Sequence, residues 1–240
     1  MAKSIVVIPT YNEIENIESI VRAVFHLPEN FDVLVVDDNS PDGTARKVVA
    51  LQTEFNQQLF LQVREKKAGL GTAYVHGFKW ALENQYDYIF EMDADFSHNP
   101  NDLPRLLHAC VNGADMAVGS RYSTGVNVVN WPLSRVLLSY FASIYVRVIT
   151  GMKVHDATAG FVCYKKSALE KINLNKVKFV GYAFQIEMKY RIFAKKLKIV
   201  EIPIIFTDRT KGKSKMSSSI IKEAVFGVVL LRVKKIFNTL

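Results

Sequence analysis

Val33-Leu34-Val35-Val36-Asp37-Asp38-Asn39-Ser40-Pro41-Asp42-Gly43-Thr44 holds the pattern that decides the fold. Four apolar residues without polar alternation describe a strand buried on both faces. Two carboxylates end it, and Ser40-Pro41 then predicts an N-cap followed by a first-turn proline. The same order occurs upstream. Ile5-Val6-Val7-Ile8 is a strand, Pro9 to Glu13 a turn, and Ile14, Ile17, Ile20, Val21, Val24 and Phe25 follow helical spacing. Asn12 and Glu15 are placed as a capping box for that helix.

Downstream the alternation continues. Leu59 to Val63, Tyr88 to Met92 and Asp115 to Gly119 are three more strands, separated by helices around Val75 to Leu82 and Asn101 to Cys110. Alternating strands and helices predict an α/β fold, a mostly parallel central sheet flanked by helices on both faces. Beyond Gly119 the rhythm changes. A polar loop leads to Trp131-Pro132 and a long helix to Ile149, followed by a short strand near Phe161 to Tyr164. A helix over about Tyr182 to Lys195 comes next, then a strand over Ile199 to Phe206 that Pro203 places at an edge. A Lys/Gly/Ser-rich loop and an apolar-basic helix over Ile220 to Phe237 end the pattern.

At 240 residues, 49% hydrophobic and 22% charged, the chain is globular and large enough to bury a core without disulfides. Cys110 and Cys163 sit in apolar settings and lack metal-ligand spacing, consistent with buried thiols in a reducing compartment. The net charge of +8 is unevenly placed: Arg209 to Lys235 has eight basic residues and one acid, leaving the remainder near neutral. The N-terminal apolar run is too short for a signal-peptide core. The longest uncharged helical run, Val136 to Val146, falls short of the roughly 20 residues of a bilayer span, so no transmembrane helix is predicted.

In an open parallel sheet, ligands bind beyond the carboxyl ends of the strands. Glu13, Asp37-Asp38 and Asp93-Ala94-Asp95 all follow such ends. Each cluster alone could be a helix cap or turn. Five carboxylates on one edge would repel one another unless a cation or a donor-rich ligand lay among them. Asp93 and Asp95, two apart on an extended backbone, would point the same way and suit a hard divalent ion that shares its shell with phosphate oxygens. Asp38 stands where an acid commonly meets a ribose hydroxyl. The dinucleotide glycine fingerprint and the P-loop are both missing, and Gly69-Leu70-Gly71 alone is a weak signal.

Taken in order, these clusters resemble the family-2 glycosyltransferases of GT-A fold, and within them the dolichol- and polyprenol-phosphate mannose synthases. The resemblance is carried by Pro9 to Glu13, Asp37 to Thr44, Gly69 to Tyr74, Asp93 to His98, Gly119 to Tyr122, Asp156 to Phe161, Gly181 to Glu187 and Arg209 to Lys215. It implies that Pro9, Tyr11, Glu13, Val36 and Asp38 hold the guanosine of GDP-mannose. Asp93 and Asp95 would bind Mg²⁺ or Mn²⁺ and the diphosphate, with Ala94 contributing backbone. Arg121, Arg209 and Lys215 would meet donor phosphates or the reacting centre, and Arg135 and Ser139 the phosphate of a polyprenyl phosphate acceptor. The catalytic set would be Asp95, Arg121 and Arg135. Ser97 stands where some members carry glutamine, and it is not assigned as a ligand. The implied reaction is inverting mannosyl transfer, with another donor such as UDP-glucose as the alternative. An acceptor phosphate is already anionic, so no general base is needed, and His98 and His155 are assigned structural roles.

The resemblance also implies residues 1–215 as the transferase domain and 216–240 as a basic amphipathic helix. The long helix from Trp131 to Ile149 is either a core helix or, given an aromatic and Arg135 at its start, an interfacial one. A polybasic end adds about 1 kcal/mol per Lys or Arg at an anionic leaflet, placing the protein peripherally on a cytoplasmic membrane face, with a small membrane-protein partner unidentified. Two competing classes explain less. An aspartyl-phosphate phosphatase needs an adjacent acidic pair after Asp95 that is missing. A nucleic-acid-binding module accounts for the basic end but not the acidic rim. Binding to anionic vesicles that weakens as salt rises, with none to DNA, is the expected outcome of a salt titration against both targets.

Overall fold

The computed structural model describes residues 2–208 and 218–237. Its main sheet comprises β1 (Ser4–Thr10), β2 (Asp32–Asp37), β3 (Leu59–Val63), β4 (Tyr88–Glu91), β5 (Met116–Ser120), β7 (Val162–Lys165) and β8 (Ile199–Pro203). A two-stranded ribbon pairs β6 (Val128–Val129) with β9 (Phe206–Thr207). The order across the main sheet is β3-β2-β1-β4-β7-β5-β8. All pairings in it are parallel except those of β7, which runs antiparallel to β4 and β5. Pro203 does lie on an edge strand, where its missing N–H costs no ladder bond.

Alternation along the strands divides the core into two layers. Val6, Ile8, Val33, Val35 and Phe90 face α1 (Ile17–Phe25), α2 (Thr44–Gln52) and α4 (Leu103–Val111). Ile5, Val7, Leu34, Val36 and Ile89 face α3 (Leu70–Glu83), α6 (Lys166–Lys171) and α7 (Tyr182–Ala194). Cys110 and Cys163 are buried free thiols. A third cluster joins α5 (Leu133–Thr150) and α7 to α8 (Ser218–Ile236) through Val146, Ile186, Tyr190, Val228 and Leu231. The boundary expected at residue 215 lies outside the described residues.

Two predicted helix starts are corrected. The first helix begins after Asn16, and no side chain caps it. Asn12 instead adopts a left-handed conformation (φ 58°), its N–H donating to Ser40 Oγ, so the capping box at Asn12 and Glu15 does not form. The second helix begins after Gly43 (φ 93°), and Asp42 accepts from the Thr44 N–H. Ser40 and Pro41 belong to the preceding loop. Both helices start later because the backbone N–H groups of Asn12, Glu13 and Ile14 donate across the loops to the side chains of Ser40, Thr44 and Asp42.

Among the described residues, α5 is the one helix with the length and composition of a membrane span: 18 residues, mean hydropathy 1.3, 17% buried. It carries Arg135 and Arg147 near its two ends and rests on α8.

Gly77 lets α3 lie directly on the sheet. A Cβ there would overlap Val7 Cγ1 and come within 3.4 Å of Val36 Cγ2. Alanine gains about 1 kcal/mol of helix propensity over glycine, but overpacking costs about 1–3 kcal/mol, so the clash dominates. Gly77→Ala is expected to lower the unfolding free energy, by up to about 2 kcal/mol, in a urea titration.

Candidate active site

The strand order reverses between β1 and β4, and a cavity of about 720 Å³ opens beyond the carboxyl ends of the strands there. One part is walled by Pro9, Tyr11, Glu13, Asp38 and Lys67, with the Lys67 ammonium 4.5 Å from the centroid of the Tyr11 ring. Asp93, Ala94, Asp95 and Arg121 form another part, and Trp131, Arg135 and Ser139 a third. Leu138, Phe141, Tyr145, Val225 and Val228, from α5 and α8, give the same cavity an apolar extension.

The acidic rim is real but divides by role. Asp37 is fully buried and does not line the cavity; it accepts from Thr10 Oγ1 at 2.8 Å and Ser40 Oγ at 2.6 Å, closing the turn. Asp38 lines the cavity with its charge met by Arg64 Nε at 2.6 Å, and Arg64 also donates to Thr72 Oγ1 of α3. Glu13 accepts from Asn16 Nδ2 at 3.0 Å. Val36, expected beside the base, is fully buried under α3 and is not among the residues that line the cavity. Its place in the strand alternation turns it into the core.

Asp93 and Asp95 come together differently from expectation. The strand ends at Glu91, and the two acids sit in a turn beyond it. Ser97 N–H donates to Asp95 Oδ1 at 3.0 Å, and Phe96 adopts φ 59°, a costly conformation for a bulky side chain that the turn enforces. Tyr74 OH donates to Asp93 Oδ1 at 3.2 Å. Two carboxylates on one cavity wall are a hard oxygen set that suits a divalent ion completing its shell with phosphate and water. No cluster of three or more His, Cys, Asp or Glu ligands exists among the described residues.

His98 packs beneath this turn, stacked on Phe161 at 5.0 Å. Its Nδ1 accepts the Asp93 N–H at 3.3 Å, which requires a neutral ring. Burial pushes its pKa down to about 4, against the raising influence of Asp95. His155 lies at the surface with Nδ1 2.8 Å from Glu201, and it does not line the cavity.

Arg121 reaches the cavity already ion-paired. Its Nε and Nη2 bond Asp156 at 2.7 and 2.6 Å, and Nη2 also bonds Thr158 Oγ1. Burial alone would raise the Asp156 pKa, but Arg121 outweighs it and holds the carboxyl below its usual value. Arg135 Nη1 bonds Asp208 at 3.0 Å, and Ser139 lies one turn further along α5. Arg209 and Lys215 lie outside the described residues.

Sequence reasoning assigned no role to the layer under the cavity. Glu91 accepts from Tyr164 OH at 2.8 Å and Gln185 Nε2 at 2.6 Å, and Lys189 Nζ donates to Ala159 O at 2.6 Å. Both ions are fully buried, so desolvation raises the pKa of Glu91 and lowers that of Lys189, each opposed by the other's charge. The strings Asp156 to Phe161 and Gly181 to Glu187 contain Ala159 and Gln185, while Tyr164 and Lys189 fall outside them, and Tyr164 meets Glu91 because β7 pairs antiparallel with β4.

A mostly parallel sheet flanked by helices, with a carboxylate rim beyond one edge, is an α/β fold of the GT-A-like class. The chain belongs to the family described as Glycosyl transferase family 2, which matches residues 5–173, and it is a glycosyltransferase. It is 47% identical over 226 residues to the polyprenol monophosphomannose synthase of Mycolicibacterium smegmatis, covering 94% of this chain and 85% of that one. It is 45% identical over 223 residues to the undecaprenyl-phosphate mannosyltransferase of Micrococcus luteus, covering 92% and 90%. In fold it is similar to glucosyl-3-phosphoglycerate synthase from Mycobacterium tuberculosis, solved with Mn²⁺ and UDP. That likeness has a TM-score of 0.70 at 16% identity, covering 98% of this chain and 80% of that one.

The neutral, buried His98 carries a pH signature. Between about 6.5 and about 4 the unfolded chain takes up a proton that the folded one refuses, so stability falls as pH drops through this window. Unfolding free energy measured against pH is expected to fall more steeply for the wild type than for His98→Phe there, by up to about 1.4 kcal/mol per pH unit.

Proposed function

We propose that this glycosyltransferase moves mannose from GDP-mannose to a polyprenyl phosphate with inversion, at an anionic membrane surface. The observation that carries the reading is one cavity that joins a carboxylate-lined polar part to an apolar part between α5 and α8, with Arg135 in its lining. A nucleotide sugar and a lipid phosphate are the two chemistries such a cavity accommodates together. The identities to mannosyltransferases named for polyprenol and undecaprenyl phosphate support the choice of sugar and acceptor.

Pro9, Tyr11, Glu13 and Asp38 would hold the nucleoside, and Arg135 and Ser139 would orient the acceptor phosphate. Asp93 and Asp95 would hold Mg²⁺ or Mn²⁺ with the donor diphosphate, and the ion would supply positive charge for the departing phosphate oxygens. An acceptor phosphate oxygen attacks the anomeric carbon as its bond to the diphosphate oxygen breaks, and the electron pair leaves with GDP. Attack opposite the leaving group turns the α-linked donor into a β-mannosyl phosphate. The nucleophile carries no proton at neutral pH, and neutral His98, its Nδ1 already accepting a backbone N–H, is not placed to act as a base.

Membrane attachment is proposed through α5 and α8. Leu133, Phe141, Val148, Phe226, Ile236 and Phe237 are all more than half exposed, and the basic residues at the end of α8 can meet anionic head groups.

Labelled GDP-mannose, Mg²⁺ and a polyprenyl phosphate are expected to yield lipid-linked mannose, and UDP-glucose none. No lipid-linked sugar from any nucleotide sugar would refute the proposal. Asp95→Ala is expected to lower turnover by at least about 100-fold with an unchanged melting temperature.

A further inference from the structure

Trp131 at the head of α5 has the sequence signature of an interfacial aromatic, yet its ring is turned into the cavity wall. The Arg135 guanidinium carbon lies 4.0 Å from the ring centroid, and that of Arg121 lies 5.4 Å from it. The same indole therefore meets both cations. Phe206 supports it edge-on at 5.1 Å. The β6–β9 ribbon fixes this arrangement: β6 leads into Trp131 through Asn130 (φ 64°), β9 supplies Phe206, and the Asp208 N–H donates to Val129 O at 3.0 Å. One small ribbon thus presents both the ring and the Asp208 carboxylate to Arg135.

Arg135 needs such support. A cation in the first turn of an 18-residue helix opposes the helix dipole, and Arg121 is a second cation on the same wall. Stacking on an aromatic face attracts the guanidinium without consuming its in-plane N–H groups. Arg135 Nη1 bonds Asp208, while its Nε and Nη2 make no hydrogen bond among the described residues. Two donors on an oriented planar fork match a phosphate bidentately.

We infer that Trp131 is a positioning residue for the acceptor: its ring holds the Arg135 guanidinium edge-on to the cavity so that a phosphate monoester is gripped there. The inference rests on the proposed acceptor role of Arg135. The chemistry recognised is the phosphate monoester head, and the apolar cavity wall from α5 and α8 accommodates its hydrocarbon.

Calorimetric titration of the full chain with a short-chain isoprenyl monophosphate, and separately with GDP plus Mg²⁺, tests this without relying on transfer. Trp131→Leu is expected to weaken the isoprenyl phosphate about tenfold while GDP affinity stays within about twofold. Trp131→Phe, which keeps an aromatic face, is expected to recover affinity to within about threefold of the wild type. Unchanged isoprenyl phosphate affinity in Trp131→Leu would overturn the inference. Parallel loss of both ligands, or a phenylalanine variant no better than leucine, would equally overturn it by showing a role in the fold alone. Selective loss of isoprenyl phosphate binding, in a wild type that transfers no mannose, would leave the inference standing and refute the proposed reaction. A wild type that binds no isoprenyl phosphate would refute both.

Discussion

The buried ion pair between Arg121 and Asp156 ties together the parts on which the site depends. Arg121 follows β5, and Asp156 lies in the segment that leads into antiparallel β7, so three bonds from one arginine set the end of one strand against the start of another. Asp156 is fully buried, and Arg121 is nearly so, open only to the cavity it lines. Removing one partner from such a pair typically costs about 3–5 kcal/mol, because the other is left charged and unsolvated. Glu201 accepts the His155 and Asp156 N–H groups and extends the connection to β8. The cavity wall beside Arg121, including Thr158, Ala159 and Gly160, stands on this arrangement.

Charge compensation explains how an acidic rim persists. Asp37 is absorbed by hydroxyl and amide donors, Asp38 by Arg64, and Glu13 by Asn16. Asp93 accepts from Tyr74 OH and Asp95 from the Ser97 N–H, so these two acids also have donors of their own. The basic groups divide in the same way. Arg121 is matched to Asp156, Arg135 to Asp208, and the lysines at the end of α8 lie apart from the cavity lining. The net charge of +8 is thus a sum over local balances and the basic stretch of sequence from Arg209 to Lys235.

Much of this is legible in the sequence. The apolar runs at Ile5, Val33, Leu59, Tyr88 and Met116 are strands as expected, since a strand buried on both faces has no polar alternation to confuse it. The carboxylates at the strand ends lie along one rim because parallel strands share a carboxyl edge. Helix starts were less legible. Asn12, Ser40 and Asp42 are all good caps by residue type, but each bonds a residue about thirty positions away or in its own turn, and local propensity cannot weigh such partners. Val36 illustrates the limit within a strand: every residue of an all-apolar run is buried, so the pattern does not say which lines a ligand.

The sequence by itself determined the α/β architecture, the family and the identity of the residues on the rim. Periodicity and motif spacing are local properties, and a parallel sheet converts them directly into position. Only the tertiary structure decided that β7 runs antiparallel, carrying Asp156 to Arg121 and Tyr164 to Glu91. It alone decided that Trp131 turns inward to meet two guanidiniums when its sequence position fits a membrane interface equally well. Those outcomes depend on pairings between residues far apart in the chain, where burial and opposite charge select one partner among many.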